Sequence, residues 1–555
     1  MPELRSFDYI IVGGGTAACV LANRLTADPD IRVLMIEAGS EPTSPWIKMP
    51  LAMGKLFTHP KLNWGLYTAP EAKLNNRTIF WPRGKVLGGC SSINGSAYIR
   101  GQKEDYDAWR AQGNVGWGWS DVLPYFQRLE RREDLHGAST NGKGMLTVSY
   151  PVFVSPISRA FIEAGVRAGL PKAVDLNGAS PEGVGLMPYS VRHGERNSAF
   201  EAYLRPARSR RNLTVETSAF AMRLPIEGRR ATGVEYERSG AMQKALATRE
   251  VILSAGAIGS PQLLMLSGVG PAEHLRQHGI PLVADVPGVG ENLHDHVSAS
   301  CTYRTAPENS LNRELSGLAV VGHAIAYYLA KRGPLTNGAS QATALVRGLP
   351  ASPCPDLQLV FRAMSYVYDK SGRIAADPIP RVTGGVAFTR PKSRGRLTLK
   401  STHPKQSPEM NANYLSVASD EEGLLAGMKL IRKIFATEPL HSMIVGEDAP
   451  GDAVHTDAEL REYLHATGST FCHPSGTCKM GQDPMAVVDE RLRVRGIESL
   501  RVVDASIMPA LPSCGPAPAV FMIGEKAADL IKQDRSSGAT FSNAQTAAVS
   551  AAARS

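Results

Sequence analysis

The chain has 555 residues, of which 43% are hydrophobic and 20% charged, and its formal net charge is +9. This length predicts two or more domains with sizeable cores, and the composition excludes disorder for the bulk of the chain. No run of Lys and Arg is interleaved with aromatic residues, so we expect no nucleic-acid partner in spite of the basic balance.

The sequence also argues against a membrane segment, a disulfide framework and a metal site. No run reaches the roughly 18 uninterrupted apolar residues of a membrane helix, and the few residues before the first strand leave no room for a signal peptide. We therefore expect a cytoplasmic protein. The seven cysteines are odd in number and widely spread, which favours reduced thiols. Cys472, His473 and Cys478 lack further ligands at zinc spacing, and His294 with His296 is a lone pair.

The first forty residues predict a strand, a tight turn and a helix. The β-branched and aromatic run 7–12 is typical of a buried parallel strand, and it ends at three glycines before the helix-prone run 17–25. Such glycines let the backbone approach a pyrophosphate, which then meets the free N–H groups of the helix. A second apolar run at 33–36 places Glu37 where a carboxylate can bind ribose hydroxyls. This pattern predicts a Rossmann-type dinucleotide site that includes Gly13, Gly15 and Glu37.

The following segments suggest how the chain continues. Residues 81–95 are too rich in glycine and small polar residues for a regular element, so we expect a loop close to a ligand. A helix is predicted at 157–168. A buried strand at 249–256 precedes a helix through 260–266, with Pro261 near its first turn.

The second half of the chain alternates between apolar and polar residues from about 299 to 465, with a helical segment at 421–435. This indicates a mainly antiparallel sheet with helices. A strand at 500–505 and a helix at 519–531 follow, and the Ser/Ala/Gly-rich residues 533–555 are expected to be disordered.

These elements predict an α/β fold: a Rossmann-like dinucleotide-binding domain (1–155, 206–298 and 466–532) and an α+β substrate domain built on a mainly antiparallel sheet (156–205 and 299–465).

With these segments in hand, the chain resembles the glucose-methanol-choline (GMC) oxidoreductases, the FAD-dependent alcohol oxidases and dehydrogenases. The resemblance extends from about Phe7 to Ile531 and rests on four blocks: residues 83–95, 256–270, 287–296 and 473–481. It implies a two-domain flavoprotein. Some members tether FAD through a histidine at the position of Ile93; isoleucine cannot do this, so the resemblance implies non-covalent FAD.

The resemblance also implies a set of cofactor-binding residues, which extends the set predicted from the glycine fingerprint. They are Gly13, Gly15, Thr16, Ala17, Glu37, Ala38, Arg83, Val86, Gly88, Gly89, Ser92, Asn94, Gly95, Ala255, Gly256, Asp504, Ala505, Pro516 and Ala517.

His473 matches the active-site histidine of the family, and an imidazole can accept the proton of an alcohol whose hydride goes to the flavin. The sequence then departs from the family. Where members carry a catalytic Asn or His, and a second residue that contacts the flavin, this chain has Gly515 and Ala517. Three alternatives stay open: His473 acts alone, Ser513 or Cys514 substitutes, or the chemistry has changed.

Small residues at Gly515 and at Cys472, beside His473, would enlarge the pocket. We therefore expect a bulky or aromatic alcohol, with His473, Gly515 and Cys472 at the catalytic centre. The electron acceptor is either dioxygen or a quinone-type compound, and Phe471 favours a dehydrogenase. The alternative is a redox-neutral or photochemical lyase or decarboxylase on the same flavin fold, and a third reading is a flavin-binding sensor without catalysis.

Overall fold

The computed structural model describes residues 5–133, 139–369 and 373–537. Two seven-stranded sheets organise this part of the chain. Their strands, in chain order, are β1 (Arg5–Val12), β2 (Val33–Ile36), β3 (Gly183–Leu186), β4 (Leu213–Glu216), β5 (Ala219–Arg223), β6 (Gly233–Arg238), β7 (Ala241–Leu253), β8 (Val297–Thr305), β9 (Ala342–Val346), β10 (Leu357–Arg362), β11 (Arg381–Phe388), β12 (Ile444–Ala449), β13 (Ser469–Thr470) and β14 (Leu500–Val502).

The longer helices are α1 (Thr16–Leu25), α2 (Lys103–Ala111), α3 (Trp119–Leu129), α4 (Pro156–Arg167), α5 (Gly256–Leu266), α6 (Gly317–Ala330), α7 (Ala418–Phe435), α8 (Asp457–Thr467) and α9 (Ala517–Ser536). None of the helices in the described ranges combines the length and the apolarity that crossing a bilayer requires.

The first sheet brings the carboxyl ends of four strands to one edge. Its order is β4-β2-β1-β7-β6-β5, with β14 paired to the last residues of β7. The strands β4, β2, β1, β7 and β14 are parallel to their neighbours, whereas β6 pairs antiparallel with both β7 and β5. Parallel strands place their ligands just beyond their carboxyl ends. Gly13, Glu37, Ser254 and Asp504 occupy such positions.

The second sheet is antiparallel throughout, with the order β12-β8-β11-β10-β9-β3 and β13 beside β8. One face packs on α4 and α7, where the rings of Phe161 and Phe361 stack with centroids 4.7 Å apart. The opposite face is open to a cavity. The expected fold class, α/β with a mainly antiparallel second sheet, is confirmed. The domain boundaries stay a prediction; β13 pairs with the second sheet although its residues lie in the segment predicted for the dinucleotide domain.

Two predicted helices differ in extent from those observed. α5 begins at Gly256, so Pro261 lies in its interior and not near its first turn. α9 continues to Ser536, so the prediction of disorder is wrong for residues 533–536. The reason is two ion pairs: Arg491, and Arg501 of β14, each bind Asp534 at 2.6 Å, and the second of these holds the last turn against the first sheet. Residues 538–555 lie outside the described residues.

Candidate active site

A cavity of about 1380 Å³ lies between the two sheets. One end is formed by the turns that follow the parallel strands, and the other by the open face of the antiparallel sheet, with Ser298, Ser300 and Val360 on its floor. Pockets that bind drug-sized ligands have volumes of roughly 300–1,000 Å³. The cavity therefore has room for a dinucleotide and a substrate.

The glycine turn after β1 has the geometry that the sequence predicts for close approach of a ligand. Gly13 has φ +102°, and a Cβ there would lie 2.4 Å from the carbonyl oxygen of Ser254. The carboxylate of Glu37 spans the turn: Gly14 N donates to Oε2 at 2.6 Å, and Gly39 N donates to Oε1 at 2.6 Å. Burial raises the pKa of Glu37 to about 7, although these two hydrogen bonds act in the opposite direction.

The residues around this turn fit the adenosine and pyrophosphate parts of FAD. α1 begins at Thr16 without a side-chain cap, and both Thr16 and Ala17 line the cavity. Its first N–H groups are therefore available to an anion. At the next turn a Cβ on Gly256 would meet no atom within 4 Å, which leaves open space beside Asp504. Asp504 is itself fixed by hydrogen bonds from Gly256 N at 2.9 Å and Ser260 Oγ at 2.6 Å.

The loop at 81–95 closes over this turn and connects it to His473. Gly88 N donates to Gly14 O at 2.8 Å, and a Cβ on Gly89 would lie 2.8 Å from the Cα of Gly15. Arg83 reaches from the same loop to the carbonyl oxygen of Cys472. The loop thus positions both the cofactor region and the segment that carries His473.

The imidazole of His473 faces the cavity in a tautomer that its neighbours define. His296 Nε2 lies 3.1 Å from the carbonyl oxygen of Thr389, which can only accept, so that nitrogen carries the proton. In neutral His296 the other nitrogen, Nδ1, then accepts from His473 Nδ1 at 3.0 Å. His473 Nε2 is left with its lone pair. A Cβ on Gly515 would lie 3.2 Å from this atom, so the open space in front of it is the cavity.

Both imidazoles are neutral near neutral pH. Burial lowers the pKa of His296 to about 4, and it lowers the pKa of His473 well below its ordinary value, with the neighbouring His296 and Arg83 acting in the same direction. A neutral imidazole with a free lone pair can accept a proton.

Asp295 fixes the backbone of the segment that contains His473. Its Oδ1 accepts from His473 N at 2.7 Å, and its Oδ2 accepts from the Tyr414 hydroxyl at 2.5 Å and from Thr470. Cys472, between Thr470 and His473, has φ +67° and its amide donates to Thr470 Oγ1 at 2.6 Å. Burial raises the pKa of the Cys472 thiol to about 12, so the thiol is protonated.

Neither residue considered as a replacement for the missing Asn or His turns toward His473. Ser513 donates its backbone N–H and its hydroxyl to Asp105 Oδ2, at 2.8 and 2.7 Å. The thiol of Cys514 lies 2.7 Å from the carbonyl oxygen of Ile99. Both side chains are buried, and neither lines the cavity.

Most of the predicted site residues meet in this one cavity. The three residues of the predicted catalytic centre line it, as do the predicted cofactor residues other than Val86, Gly88 and Ser92. Those three lie behind the wall: Ser92 Oγ, for example, donates to Leu87 O at 2.8 Å. Their predicted contact with the cofactor stays a prediction.

Sequence reasoning missed His296 and Asp295 as partners of His473. Both belong to the block 287–296 that supports the family resemblance, so a signal was present. The block alone did not assign a role to either residue, because nothing in the local sequence connects His296 with His473, 177 positions further along the chain.

Three features define the class of protein as a dinucleotide-dependent oxidoreductase. They are a glycine turn at the carboxyl edge of a parallel sheet, a buried acid after β2 and a neutral histidine in the shared cavity.

Comparisons with known proteins agree with this class. The family models for GMC oxidoreductases match residues 7–298 and 391–524. The chain is 42% identical to an alcohol dehydrogenase (acceptor) of Pseudomonas putida, over 95% of both chains.

The chain is also 41% identical to mitochondrial choline dehydrogenase of Homo sapiens, over 95% of this chain and 90% of that one. Formate oxidase of Aspergillus oryzae RIB40, studied for modification of its FAD, superposes with a TM-score of 0.89 at 27% identity, over 96% and 99% of the two chains. The chain belongs to the GMC oxidoreductase family, and its cofactor is FAD.

Proposed function

We propose that this protein oxidises a bulky or aromatic alcohol to an aldehyde or ketone, with His473 as the general base. The observation that carries the proposal is the fixed tautomer of His473, whose Nε2 lone pair faces the cavity. The series of hydrogen bonds from Thr389 through His296 supports this role, because it requires no rearrangement before a proton is accepted.

In the proposed reaction, the alcohol lies with its hydroxyl on His473 Nε2. As the hydroxyl proton moves to Nε2, the carbon–hydrogen bond of the carbinol carbon breaks and a carbonyl group forms. The hydride acceptor is supplied by FAD when it is bound. The protonated imidazole keeps its hydrogen bond to His296, and Asp295 holds the backbone of the segment in register.

Gly515 supports the choice of a bulky substrate. A side chain at this position would stand directly against His473 Nε2, and its absence leaves space where other family members carry a polar partner. Loss of such a partner commonly costs on the order of 10²-fold in rate. We therefore infer that His473 acts without a second catalytic side chain and that the space accommodates substrate.

We propose a quinone-type acceptor in preference to dioxygen, and non-covalent FAD. The ring of Phe471 lies 5.6 Å from that of His473 and lines the cavity, which restricts the space beside the reacting carbon. Ile93 lines the same cavity and has no atom that could bond covalently to the flavin. Acid precipitation should therefore release all of the FAD. Because Phe471 restricts the space for dioxygen, the absorbance of the reduced enzyme should return only slowly in air.

The function is tested by anaerobic titration of the holoenzyme with aliphatic, aromatic and sugar alcohols. We expect the absorbance at about 450 nm to fall as hydride reaches the flavin, and we expect the matching aldehyde or ketone in stoichiometric yield. If no alcohol lowers this absorbance while dithionite does, alcohol oxidation is wrong, and assays for a lyase or light-driven reaction become appropriate, as the missing partner at Gly515 would suggest.

The role of His473 is tested by His473→Ala, with His441→Ala at an exposed surface turn as the matched control. We expect kcat to fall by about 10²–10⁴-fold in His473→Ala, which is the usual contribution of a positioned base. FAD content should be unchanged. Retention of full activity in His473→Ala would exclude it as the base.

A further inference from the structure

The wall of the cavity carries a cation, Arg362, that has no ion-pair partner among the described residues. Arg362 is the last residue of β10, and it lies on the same face as Gln358 and Val360, which line the cavity with it. Among the described residues its guanidinium makes no ion pair, and its buried Nε has no hydrogen-bond partner. The guanidinium carbon lies 5.6 Å from the centroid of the Tyr366 ring. A buried donor of this kind costs free energy unless a ligand satisfies it.

Among the described residues that line the cavity, no carboxylate balances Arg362. In the described part of the chain, the acidic residues that line the cavity are Glu37 and Asp504, and both follow strands of the first sheet, where FAD is expected. Three further cations line the cavity: Arg83 beside the Cys472 carbonyl group, Lys405, which pairs with Glu237, and Lys55, an exposed residue of the short helix Met53–Phe57. The part of the cavity that remains for the substrate is therefore positive, which disfavours a cationic substrate and favours an anionic one.

The strand register gives the distance between Arg362 and His473. Phe471 N donates to His296 O at 2.8 Å, so the His473 segment lies beside residue 296. Arg362 pairs with Thr383 of β11, which pairs with Thr302 of β8, six residues beyond His296. At least six residues of strand and three interstrand spacings (β13–β8–β11–β10) separate the two backbones, so the backbones are on the order of 25 Å apart. With both side chains extended into the cavity toward each other, their ends are on the order of 15–20 Å apart.

The surface between these two residues is apolar apart from Ser298, Ser300 and Gln358. Val360 and Gly385 lie on the floor with these three, and Ile99, Met187 and Phe471 complete the wall. A ligand that touches both His473 and Arg362 therefore needs a long apolar middle section. An extended chain advances about 1.2 Å per bond, so this section has roughly 12–16 bonds.

We propose that Arg362 binds the carboxylate of a long-chain ω-hydroxy carboxylate whose hydroxyl group lies at His473. The proposal rests on the alcohol oxidation proposed above, and within that reaction it assigns a substrate that is large because of its chain length and not because of an aromatic ring or bulk at the carbinol carbon. A carboxylate matches the planar donor fork of a guanidinium, and the product is the corresponding ω-oxo carboxylate, formed with the same transfer of one hydride and one proton.

The test compares 12-hydroxydodecanoate with its methyl ester, which has the same chain but no charge. We expect kcat/KM with an artificial acceptor to be at least about tenfold higher for the acid, because a hydrogen-bonded charge pair contributes of this order. In Arg362→Gln the ratio of the two kcat/KM values should fall by about 10- to 100-fold, and Arg362→Lys should retain part of it. With 6-hydroxyhexanoate, which is too short to span the cavity, the acid should have no advantage over its ester.

The matched control is Arg347→Gln, because Arg347 lies just after the neighbouring strand β9 and pairs with Glu182 outside the cavity. This variant should keep the wild-type ratio. The proposal is wrong if acid and ester are used equally well by the wild type, if Arg362→Gln lowers both values by the same factor, or if Arg347→Gln changes the ratio as much.

A binding measurement separates this inference from the proposed function. Dodecanoate has the carboxylate and the chain but no hydroxyl, so it cannot be oxidised. We expect calorimetry to detect dodecanoate binding to the oxidised holoenzyme, with affinity at least about tenfold lower in Arg362→Gln. If this holds while no alcohol is oxidised, the carboxylate site stands and alcohol oxidation fails; if Arg362→Gln binds dodecanoate as tightly as the wild type, the carboxylate site fails whatever the activity.

Discussion

The hydrogen bond between His296 and the carbonyl oxygen of Thr389 decides which nitrogen of His473 carries its proton. His296 donates to the carbonyl of Thr389 and accepts from His473, so His473 Nε2 keeps its lone pair. His296 itself does not line the cavity in the described residues. It is a positioning residue, in the same sense as the outer partners that fix the tautomers of metal-binding histidines.

Replacing His296 should therefore lower activity without removing the base. In His296→Leu we expect kcat/KM to fall by roughly 10- to 100-fold, the usual loss when a partner that orients a histidine is removed. His296→Asn keeps an acceptor near the position of Nδ1 and should restore part of the loss. The pH profile is the second readout: wild-type activity should fall only well below pH 6.5, because burial lowers the pKa of His473. Equal activity in the Leu and Asn variants would contradict the tautomer argument.

Gly515 is required for space and not for backbone conformation. Its φ is not in the left-handed region, and an added Cβ would meet His473 Nε2 at 3.2 Å. We expect Gly515→Ala to leave the melting temperature nearly unchanged but to lower kcat/KM by about tenfold, since the reacting hydroxyl is displaced and a misplacement of this kind is costly. Steady-state kinetics with small and bulky alcohols check this. A larger loss for the bulky alcohol is expected, and an unchanged kcat/KM for both would contradict it.

At the scale of elements, two glycine turns lead from parallel strands into helices, and they differ in whether they leave space for a side chain. Gly13 and Gly256 both have positive φ, +102° and +81°. A Cβ on Gly13 would lie 2.4 Å from a backbone oxygen of the neighbouring strand, whereas a Cβ on Gly256 would meet nothing within 4 Å. The first turn is closed by the sheet and the second opens into the cavity.

Alanine substitutions should separate these two cases. Gly256→Ala carries only the conformational strain of a left-handed residue, about 1–2 kcal/mol. Gly13→Ala adds a collision with backbone, so we expect a larger loss of stability together with loss of FAD. Thermal unfolding monitored by flavin fluorescence measures both effects. Equal shifts in melting temperature for the two variants would contradict the contrast.

The sequence predicts the first of these turns because every signal for it is local. The strand, the glycines, α1 and Glu37 fall within forty residues, and each follows from composition and spacing. The pair His296 and His473 could not be predicted in this way. It depends on β13 pairing with β8, Val297 with Thr470, and such a non-local register leaves no mark on either segment alone.

The orientation of Ser513 and Cys514 shows the same limit. From the sequence, both residues stand near enough to His473 to substitute for the missing Asn or His. In the structure Asp105, at the start of α2, draws both donors of Ser513 to itself, and Ile99 accepts from Cys514. A contact between residues about 400 positions apart therefore decides which side of the turn faces the cavity.

At the scale of the whole molecule, the cavity lies where the two sheets face each other, so its lining comes from both halves of the chain. Arg83 joins the loop over the glycine turn to Cys472, and Asp105 of α2 pairs with Arg390, which follows β11, at 2.7 Å. These contacts couple the two sheets. Binding of FAD to the first sheet should therefore stabilise the whole chain by mass action, by about 2.7 kcal/mol at a hundredfold excess over Kd.

That stabilisation should depend on pH through Glu37. Burial raises the pKa of this carboxyl to about 7, so without cofactor it is largely protonated below pH 7. The ionised form is the stronger acceptor for ribose hydroxyls, so FAD binding favours it and releases a proton. The Kd for FAD should therefore decrease as pH rises from about 5 to 7, by at most tenfold per pH unit, and should level off above 7.

Glu37→Gln should abolish this dependence, because an amide does not titrate, and it should bind FAD more weakly than the wild type at pH 8. Glu41→Gln is the matched control, since Glu41 lies four residues further on and pairs with Arg208 at 2.7 Å on the surface. Titration of apoprotein with FAD, followed by quenching of flavin fluorescence, measures Kd at each pH. A Kd in wild type that does not change between pH 5 and 7, or a slope that survives in Glu37→Gln, would show that the proton is taken up elsewhere.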